Sequence, residues 1–294
     1  MSDFTIEDVT DNHKQETIPR SAQKTRWGLH IALVIVCFIV CIPAIYAGII
    51  ATLTTLESTL VPPRLIPSDD FNNNVSTLFE HRNFTGLLWN TTVVAFVTVI
   101  GKTALAMLAG LAFVFFRFPG KWFLFFFVLL TLLLPTEIIL LPLFNIVAEM
   151  NWIETNPRLA LTVPFLGTAV GAFLFRQHFT NIPRELAEAS QIDGATPLRF
   201  LFSILIPMSW NVIGAHAMIQ FIASWNQYLW PVLAIQNSDD QLIQIGVSQA
   251  ASLSGQSDYG LLMTAGIVAS IPPLVLFVLL QKQFMNGFAV ARDK

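Results

Sequence analysis

The residues between Pro183 and Pro207, here called the charged segment, carry the side chains best suited to forming ionic contacts with another molecule. A proline at the start fits the first turn of a helix, and Gly194 fits a helix end because glycine accepts the left-handed conformation. Thr196 and Pro197 then form a new cap and first-turn pair. The spacing predicts two short helices joined by a sharp bend. The charged residues of the first helix are Arg184, Glu185, Glu188 and Asp193.

Two interpretations of the charged segment follow from its residues alone. Helices of this kind could form a small, rigid, charged projection that fits a cleft on a partner protein and transmits a push to the next apolar run. They could also be an ordinary amphipathic connector lying on a surface. Both involve recognition or positioning, and neither breaks or forms covalent bonds.

Other patterns in the chain do not support catalysis. Gly101-Lys102-Thr103 is similar to the end of a phosphate-binding loop, but Phe96 stands where that loop requires glycine. The histidines are scattered without metal-ligand spacing, and no nucleophile elbow is present. We therefore expect no catalytic residue, no metal site and no cofactor bound by this chain.

Charged residues inside apolar stretches need a partner or a polar cavity, because an isolated buried charge is costly. Lys102 and Glu137 are two such residues. Glu137 is the partner expected for Lys102 from its position along the predicted helices. The pair could lock two helices together, or either residue could bind substrate, with Lys102 as the counter-charge of an anion.

Amide side chains also occur in an aromatic, apolar stretch at Trp225, Asn226 and Gln227. One interpretation is a belt of aromatic side chains followed by a kink at Pro231. The other places these residues along a transport path, where the amides could hydrogen-bond hydroxyl or phosphate groups. Either interpretation requires the amides to face the protein interior.

The composition shows what kind of scaffold must position these residues. Hydrophobic residues make up 54% of the chain and charged residues 12%, with a mean hydropathy of +0.63, whereas soluble domains contain about 25% charged residues. This predicts an all-α membrane protein, since each apolar run has roughly the 20 residues that cross a bilayer. We expect six transmembrane helices at 28–53, 87–116, 122–148, 158–178, 209–233 and 261–281.

The distribution of Lys and Arg predicts the orientation of these helices. Segments predicted outside hold Arg64, Arg82 and Arg158, whereas those predicted inside hold twelve basic residues. Basic residues favour the cytoplasmic side, so both termini and the charged segment should be cytoplasmic. The expected division is a cytoplasmic tail 1–27, a first span 28–53, an extracytoplasmic loop 54–86, a five-helix core 87–281 with a cytoplasmic loop 181–207, and a tail 282–294.

The charged segment resembles the EAA loop of ABC importer permeases. That motif runs Glu-Ala-Ala, three residues, Gly, nine residues, Ile, one residue, Leu-Pro. This chain has Glu188, Ala189 and Ser190, then Gly194, Ile204, Leu205, Ile206 and Pro207 at the same spacing. Ser190 and Ile206 depart from the motif by small or isosteric changes.

Residues from about 85 to 288 are similar to the smaller permease subunits of carbohydrate-type ABC importers, related to the maltose system, with the glycerol-3-phosphate type most alike. The likeness is carried by Gly101-Lys102, Phe116-Arg117-Phe118-Pro119, Leu134-Pro135-Thr136-Glu137, Phe175-Arg176-Gln177 and the run from Trp225 to Pro231. It implies a type I importer fold in a bacterial inner membrane.

The same resemblance implies the partners and the division of labour. It implies a second, non-identical permease, two ATPase subunits that bind ATP and Mg, an extracytoplasmic substrate-binding protein and the bilayer, but no nucleic acid. The residues that would contact or shape the ATPase junction are Arg184, Glu185, Glu188, Ala189, Asp193, Gly194, Ile204 and Pro207. The expected substrate is sn-glycerol-3-phosphate or a glycerophosphodiester. The alternatives are a permease for an oligosaccharide of the maltose or trehalose type, an ion-coupled secondary transporter and a purely structural subunit.

Overall fold

The computed structural model describes residues 26–60, 62, 64–81, 83–251 and 258–289. Most of the predicted tail 1–27 and the last five residues of the predicted tail 282–294 lie outside this part of the chain. The described residues form helices, turns and connecting segments without a β-strand. The prediction of an all-α chain is therefore confirmed.

The helices follow one another closely along the chain. They are α1 Arg26–Ile50, α2 Thr55–Ser58, α3 Phe71–His81, α4 Phe84–Phe115, α5 Lys121–Leu130, α6 Thr136–Glu149, α7 Trp152–Thr155, α8 Pro157–Thr162, α9 Ala169–Thr180, α10 Arg184–Ile192, α11 Pro197–Phe200, α12 Ile206–Met208, α13 Trp210–Trp225, α14 Leu229–Ala234, α15 Ile243–Ala250 and α16 Tyr259–Ala289. Short 3₁₀ turns extend α5 and α8, and a π-helical turn joins α11 to α12.

Three helices in the described part of the chain are long and apolar enough to cross a membrane: Trp27–Ile50, Phe84–Phe115 and Tyr259–Gly287. Three bent pairs also pass this test when each is taken as one span. They are Lys121–Leu133 with Glu137–Glu149 at 105°, Pro157–Phe165 with Ala169–Thr180 at 45°, and Pro197–Met208 with Trp210–Trp225 at 84°. Residues 26–289, without the gaps named above, thus contain three to six candidate spans.

The helices predicted at 122–148, 158–178 and 209–233 are each interrupted, so the prediction of continuous helices in these ranges is wrong. Leu134 is extended before Pro135, as expected for a residue whose helical conformation clashes with the following proline ring. Helix α13 ends at Trp225, and residues 226–228 separate it from α14. In contrast, Pro43 and Pro142 lie inside helices that continue past them.

Three predicted segments outside the core 87–281 also differ from expectation. Helix α1 ends at Ile50 instead of residue 53. Helix α16 continues to Ala289, so the segment from 282 onward that was predicted as a tail begins as helix. The predicted loop 54–86 contains α2, α3 and the first turn of α4.

The chain divides into two compact units, residues 1–46 and 47–294. The described part of the first unit is most of α1, whose apolar side chains are exposed. The second unit contains three apolar clusters. The first cluster joins α4, α13, α15 and α16. The second joins α4, α9 and the charged segment. The third joins α4, α6, α7, α8, α14 and the loop that follows α14.

Candidate functional site

The bend in the charged segment is a Schellman turn. The N–H of Gly194 donates to the carbonyl of Gln191 at 3.0 Å, and the N–H of Ala195 donates to that of Ser190 at 2.9 Å. Gly194 has a φ of +72°, which L-amino acids with a Cβ adopt only with strain. The predicted helix end at Gly194 is confirmed.

The second half of the charged segment begins as the sequence predicts. The Thr196 hydroxyl accepts a hydrogen bond from the backbone N–H of Arg199 at 3.3 Å, with Pro197 in the first turn. Helical structure then continues past Pro207 to Met208, where the chain turns by 84° into α13. Ser209 lies at this turn and donates its hydroxyl to the Leu205 carbonyl, a bond that often accompanies a bent helix.

Helix α10 has an exposed face and a buried face. Glu185, Glu188, Ala189 and Ile192 are exposed at helical spacing, and the Ile192 side chain is 86% exposed. A large apolar side chain flanked by carboxylates on an open face is typical of a protein contact. The remaining predicted junction residues, Arg184, Asp193, Gly194 and Pro207, are also exposed, and Ile204 is half-buried.

Ser190 lies on the buried face of α10. Its hydroxyl donates to the Ala187 carbonyl at 3.0 Å. The hydroxyl by which Ser190 departs from the EAA pattern therefore has its hydrogen-bond partner inside the protein, and the exposed face of α10 is unchanged.

The buried face of the charged segment packs on two long helices. Phe200 is 5% exposed, and its ring meets that of Phe115 in α4 edge to face, with centroids 5.1 Å apart. Leu205 belongs to the same cluster as Phe175 and Phe179 of α9. Sequence reasoning missed Phe200, because the segment's apolar residues show no sign of which one meets α4.

Lys102 belongs to α4 and is half-buried on the side of this helix that contacts α13. Its ammonium donates to the side-chain carbonyl of Gln220 at 2.9 Å, and Gln220 is 6% exposed. The predicted pairing of Lys102 with Glu137, which lies in the first turn of α6, stays a prediction. Gln220 was not predicted, although His216, Gln220 and Ser224 repeat every four residues in an apolar helix.

Further buried polar atoms follow the contact between α4 and α13. The Thr98 and Thr103 hydroxyls, the His216 Nε2 and the Ser224 hydroxyl have no hydrogen-bond partner among the described residues. Thr98 and Thr103 belong to α4, and His216 and Ser224 belong to α13. We call these four residues and Lys102 the polar seam. Buried polar groups in such a setting commonly bind water or a ligand.

The tryptophans predicted as an aromatic belt are buried. Trp225 donates its Nε1–H to the Ala269 carbonyl, and Trp230 donates to the Ala160 carbonyl, both at 3.0 Å. The belt interpretation of this stretch is wrong, because its tryptophans join helices instead of facing lipid. The tryptophans with exposed rings are Trp27, Trp89, Trp122 and Trp210, near the starts of α1, α4, α5 and α13.

The two amides of this stretch lie just beyond α13. Asn226 is exposed at the C-cap, and its side-chain oxygen accepts a hydrogen bond from Gln244 at 3.1 Å. Gln227 is half-buried. Asn226 therefore does not face the interior of this chain, and the placement of both amides along a transport path stays a prediction. Among the described residues, no group of three His, Cys, Asp or Glu could hold a metal ion.

Comparison with known proteins defines the class. A model of the family of binding-protein-dependent transport system inner membrane components matches residues 102–289. The chain belongs to this family and is therefore a permease subunit of a binding-protein-dependent ABC importer. The predicted resemblance is confirmed, and so is the prediction of a transport subunit instead of an enzyme.

Particular relatives share most of the chain. It is 35% identical over 270 residues to the sn-glycerol-3-phosphate transport system permease protein UgpE of Brucella melitensis, covering 88% of this chain and 94% of the relative. The UgpE proteins of Rhizobium meliloti and Yersinia enterocolitica are 35% and 34% identical with the same coverage.

Two solved structures share the fold. One is a bacterial ABC transporter that imports the acidic polysaccharide alginate, with a TM-score of 0.76, 19% identity and coverage of 91% of this chain and 99% of that chain. The other is an alginate ABC transporter in complex with an alginate pentasaccharide-bound periplasmic protein, with a TM-score of 0.62, 17% identity and coverage of 89% and 95%.

Proposed function

We propose that this chain forms one half of the translocation path of an ATP-driven importer, with a second, non-identical permease as the other half. Two ATPase subunits bind ATP and Mg, and an extracytoplasmic binding protein delivers the substrate. The three long apolar helices, the bent pairs 121–149 and 157–180 and the stretch from α13 to α14 give six spans of the type I importer fold. Both termini lie in the cytoplasm of a bacterium, and the spans cross its inner membrane.

The two-faced helix α10 is the observation that carries this proposal. Its open face presents Glu185, Glu188 and Ile192, which suits a cleft with basic and apolar groups on an ATPase subunit. Its other face belongs to the apolar cluster that includes Phe175 of α9 and Leu111 of α4. A displacement of α10 therefore reaches two spans through side chains that are already in contact.

Coupling follows from this arrangement. When ATP closes the two ATPases, they move α10, and the charged segment moves as a unit because the Schellman turn at Gly194 fixes the angle between its halves. Helices α4 and α9 tilt with it, and the 84° turn at Ser209 passes the motion to α13. The cavity then opens toward the loaded binding protein, and hydrolysis returns it to the inward-facing state.

The proposed substrate is sn-glycerol-3-phosphate or a glycerophosphodiester. The named relatives at 34–35% identity support this choice. Lys102 supports it chemically, because an ammonium at membrane depth attracts a phosphate group. In this proposal Gln227 and the polar seam hydrogen-bond the substrate's hydroxyls. An oligosaccharide is the second candidate, since a protein of the same fold imports alginate.

The test is the ATPase activity of the reconstituted complex with its loaded binding protein. Gly194→Pro should abolish the stimulation, because proline fixes φ near −65° and excludes the observed conformation. Gly194→Asn is the matched control, since asparagine tolerates the left-handed conformation and should keep most of the stimulation. Each protein is assayed with glycerol-3-phosphate and with maltose.

The outcomes separate the candidate functions. Stimulation by glycerol-3-phosphate alone, lost in Gly194→Pro, supports both coupling and substrate. Stimulation by maltose alone moves the substrate to the oligosaccharide class. Equal activity of Gly194→Pro and the unaltered protein refutes the coupling role. In the same assay, Lys102→Met should reduce stimulation by glycerol-3-phosphate, and unchanged stimulation would remove Lys102 from the path.

A further inference from the structure

Three cations meet at the end of the second unit where α4 stops and α5 begins. Arg117 follows α4, Lys121 opens α5, and Arg176 comes from α9, more than fifty residues further along the chain. The positive charges of Arg176 and Arg117 both act on the Lys121 ammonium. We call Arg117, Lys121 and Arg176 the basic patch. Like charges brought together in this way repel one another, so the fold must hold them in place.

Two of the three side chains are held by contacts that leave their charge uncompensated. Lys121 donates to the carbonyl oxygens of Phe116 at 2.9 Å and Val114 at 3.4 Å, which completes the end of α4. The Arg176 guanidinium lies 5.0 Å from the centre of the Trp122 ring and 4.4 Å from that of Phe125. Such cation–π contacts fix a guanidinium without neutralising it.

No carboxylate balances the basic patch within the described part of the chain. None of the three cations forms a salt bridge with Asp or Glu there. Arg117 is exposed, and Lys121 and Arg176 are half-buried. An anion that binds here would gain charge-assisted hydrogen bonds from positioned donors and relieve their mutual repulsion.

An open recess lies beside these charges. It has a volume of about 320 Å³ and is lined by Arg117, Phe118, Gly120, Lys121, Trp122 and Phe123. The Trp122 side chain is 68% exposed and that of Phe123 is 78% exposed. The recess therefore joins cationic donors directly to apolar surface that continues along the exposed residues Phe126 and Phe127 of α5.

We propose that the basic patch binds the phosphate of an anionic phospholipid, whose acyl chains lie along the exposed apolar face of α5. Cations set beside exposed aromatic rings at the end of an apolar helix match the two parts of such a lipid. An acidic segment of a protein partner would need only the cations and leaves the exposed face of α5 unexplained. The proposal rests on the proposed function only in placing this lipid in the cytoplasmic leaflet.

The test measures lipid binding to the delipidated transporter complex in detergent by native mass spectrometry. The probes are dioleoylphosphatidylglycerol, dioleoylphosphatidylcholine and inorganic phosphate. Arg117→Gln should weaken binding of the phosphatidylglycerol about fivefold, which is the effect expected of one basic residue near an anionic headgroup. Lys282→Gln is the matched control, because it removes one exposed cation from α16, and it should leave binding unchanged.

Several results would overturn the proposal. Equal binding of the two lipids would show that the headgroup charge is not recognised. Equal weakening by Arg117→Gln and Lys282→Gln would assign the effect to net charge. If inorganic phosphate competes with an affinity equal to that of the lipid, the acyl chains contribute nothing to binding and do not belong to the site. Loss of another subunit from Arg117→Gln, with lipid binding intact, would make the patch a protein interface.

These readouts do not depend on transport. A complex that binds phosphatidylglycerol through Arg117 but shows no substrate-stimulated ATPase activity would leave the lipid site in place while the proposed function failed. A complex that transports normally but does not distinguish the two lipids would overturn the lipid site and leave the proposed function in place.

Discussion

Replacing Phe200 by alanine should uncouple ATP hydrolysis from transport. Phe200 is the buried aromatic side chain through which the charged segment meets Phe115 of α4. The exposed face of α10 is on the other side of the segment, so an ATPase could still dock. What the substitution removes is the contact that carries the movement onward.

The magnitude follows from the burial of this ring. Truncating a fully buried phenylalanine to alanine costs about 3–5 kcal/mol, from lost transfer energy and the cavity left behind. Roughly 1.4 kcal/mol is a tenfold change in an equilibrium constant. A cost of about 3 kcal/mol therefore lowers the population of the state in which the charged segment packs on α4 on the order of 100-fold. Uptake should therefore fall by at least about tenfold, with ATP hydrolysis retained.

The assay compares ATP hydrolysis with substrate uptake in proteoliposomes containing the whole complex. Phe202→Ala is the matched control, because Phe202 lies two residues away and is 66% exposed. Recovery of all subunits in the purified complex shows that assembly is intact. Equal uptake by the Phe200 and Phe202 variants, in intact complexes, would refute the idea that this packing transmits the motion.

Two further predictions concern stability. Trp230→Phe leaves the buried Ala160 carbonyl without its donor and should destabilise the protein by about 1–3 kcal/mol. This loss should appear as a lower unfolding temperature in detergent. Trp89→Phe, at an exposed ring, should leave that temperature unchanged, and equal shifts in the two variants would contradict the role of this hydrogen bond. The hydrogen bond from the Thr54 backbone N–H lowers the pKa of Glu57 below its ordinary value of 4.5. This contribution is present above that pH and is lost as the pH falls through the lowered pKa, so acid should lower the protection of the α2 amides relative to their intrinsic exchange rate at the same pH. Glu57→Gln should abolish this pH dependence.

The sequence predicts the apolar helices well, because hydrophobic length is a property of composition. It predicts their interruptions poorly. Pro135 ends a helix, whereas Pro142, seven residues later, lies inside one. Which proline breaks a helix depends on whether neighbouring groups satisfy the freed carbonyl, and those neighbours come from distant parts of the chain.

The candidate site shows the same division. Gly194 could be predicted because a helix end of this geometry requires a left-handed residue, a local property. Gln220 could not be paired with Lys102, because the two residues are 118 positions apart and nothing local joins them. The burial of Trp225 and Trp230 was missed because an aromatic ring in an apolar run suits lipid and protein equally well.

The bends have a consequence for the life of the protein in a cell. Each of the three bent pairs has a break of at most four residues, where peptide groups leave the helical hydrogen-bond pattern. Two of these breaks lie within the spans expected at 122–148 and 158–178. Such groups are stable only where protein covers them. With the partner subunits proposed above, a newly inserted chain should therefore be a substrate for membrane proteases until those subunits arrive. Its steady-state amount is then set by the supply of those subunits, and overproducing this chain alone should raise its turnover more than its abundance.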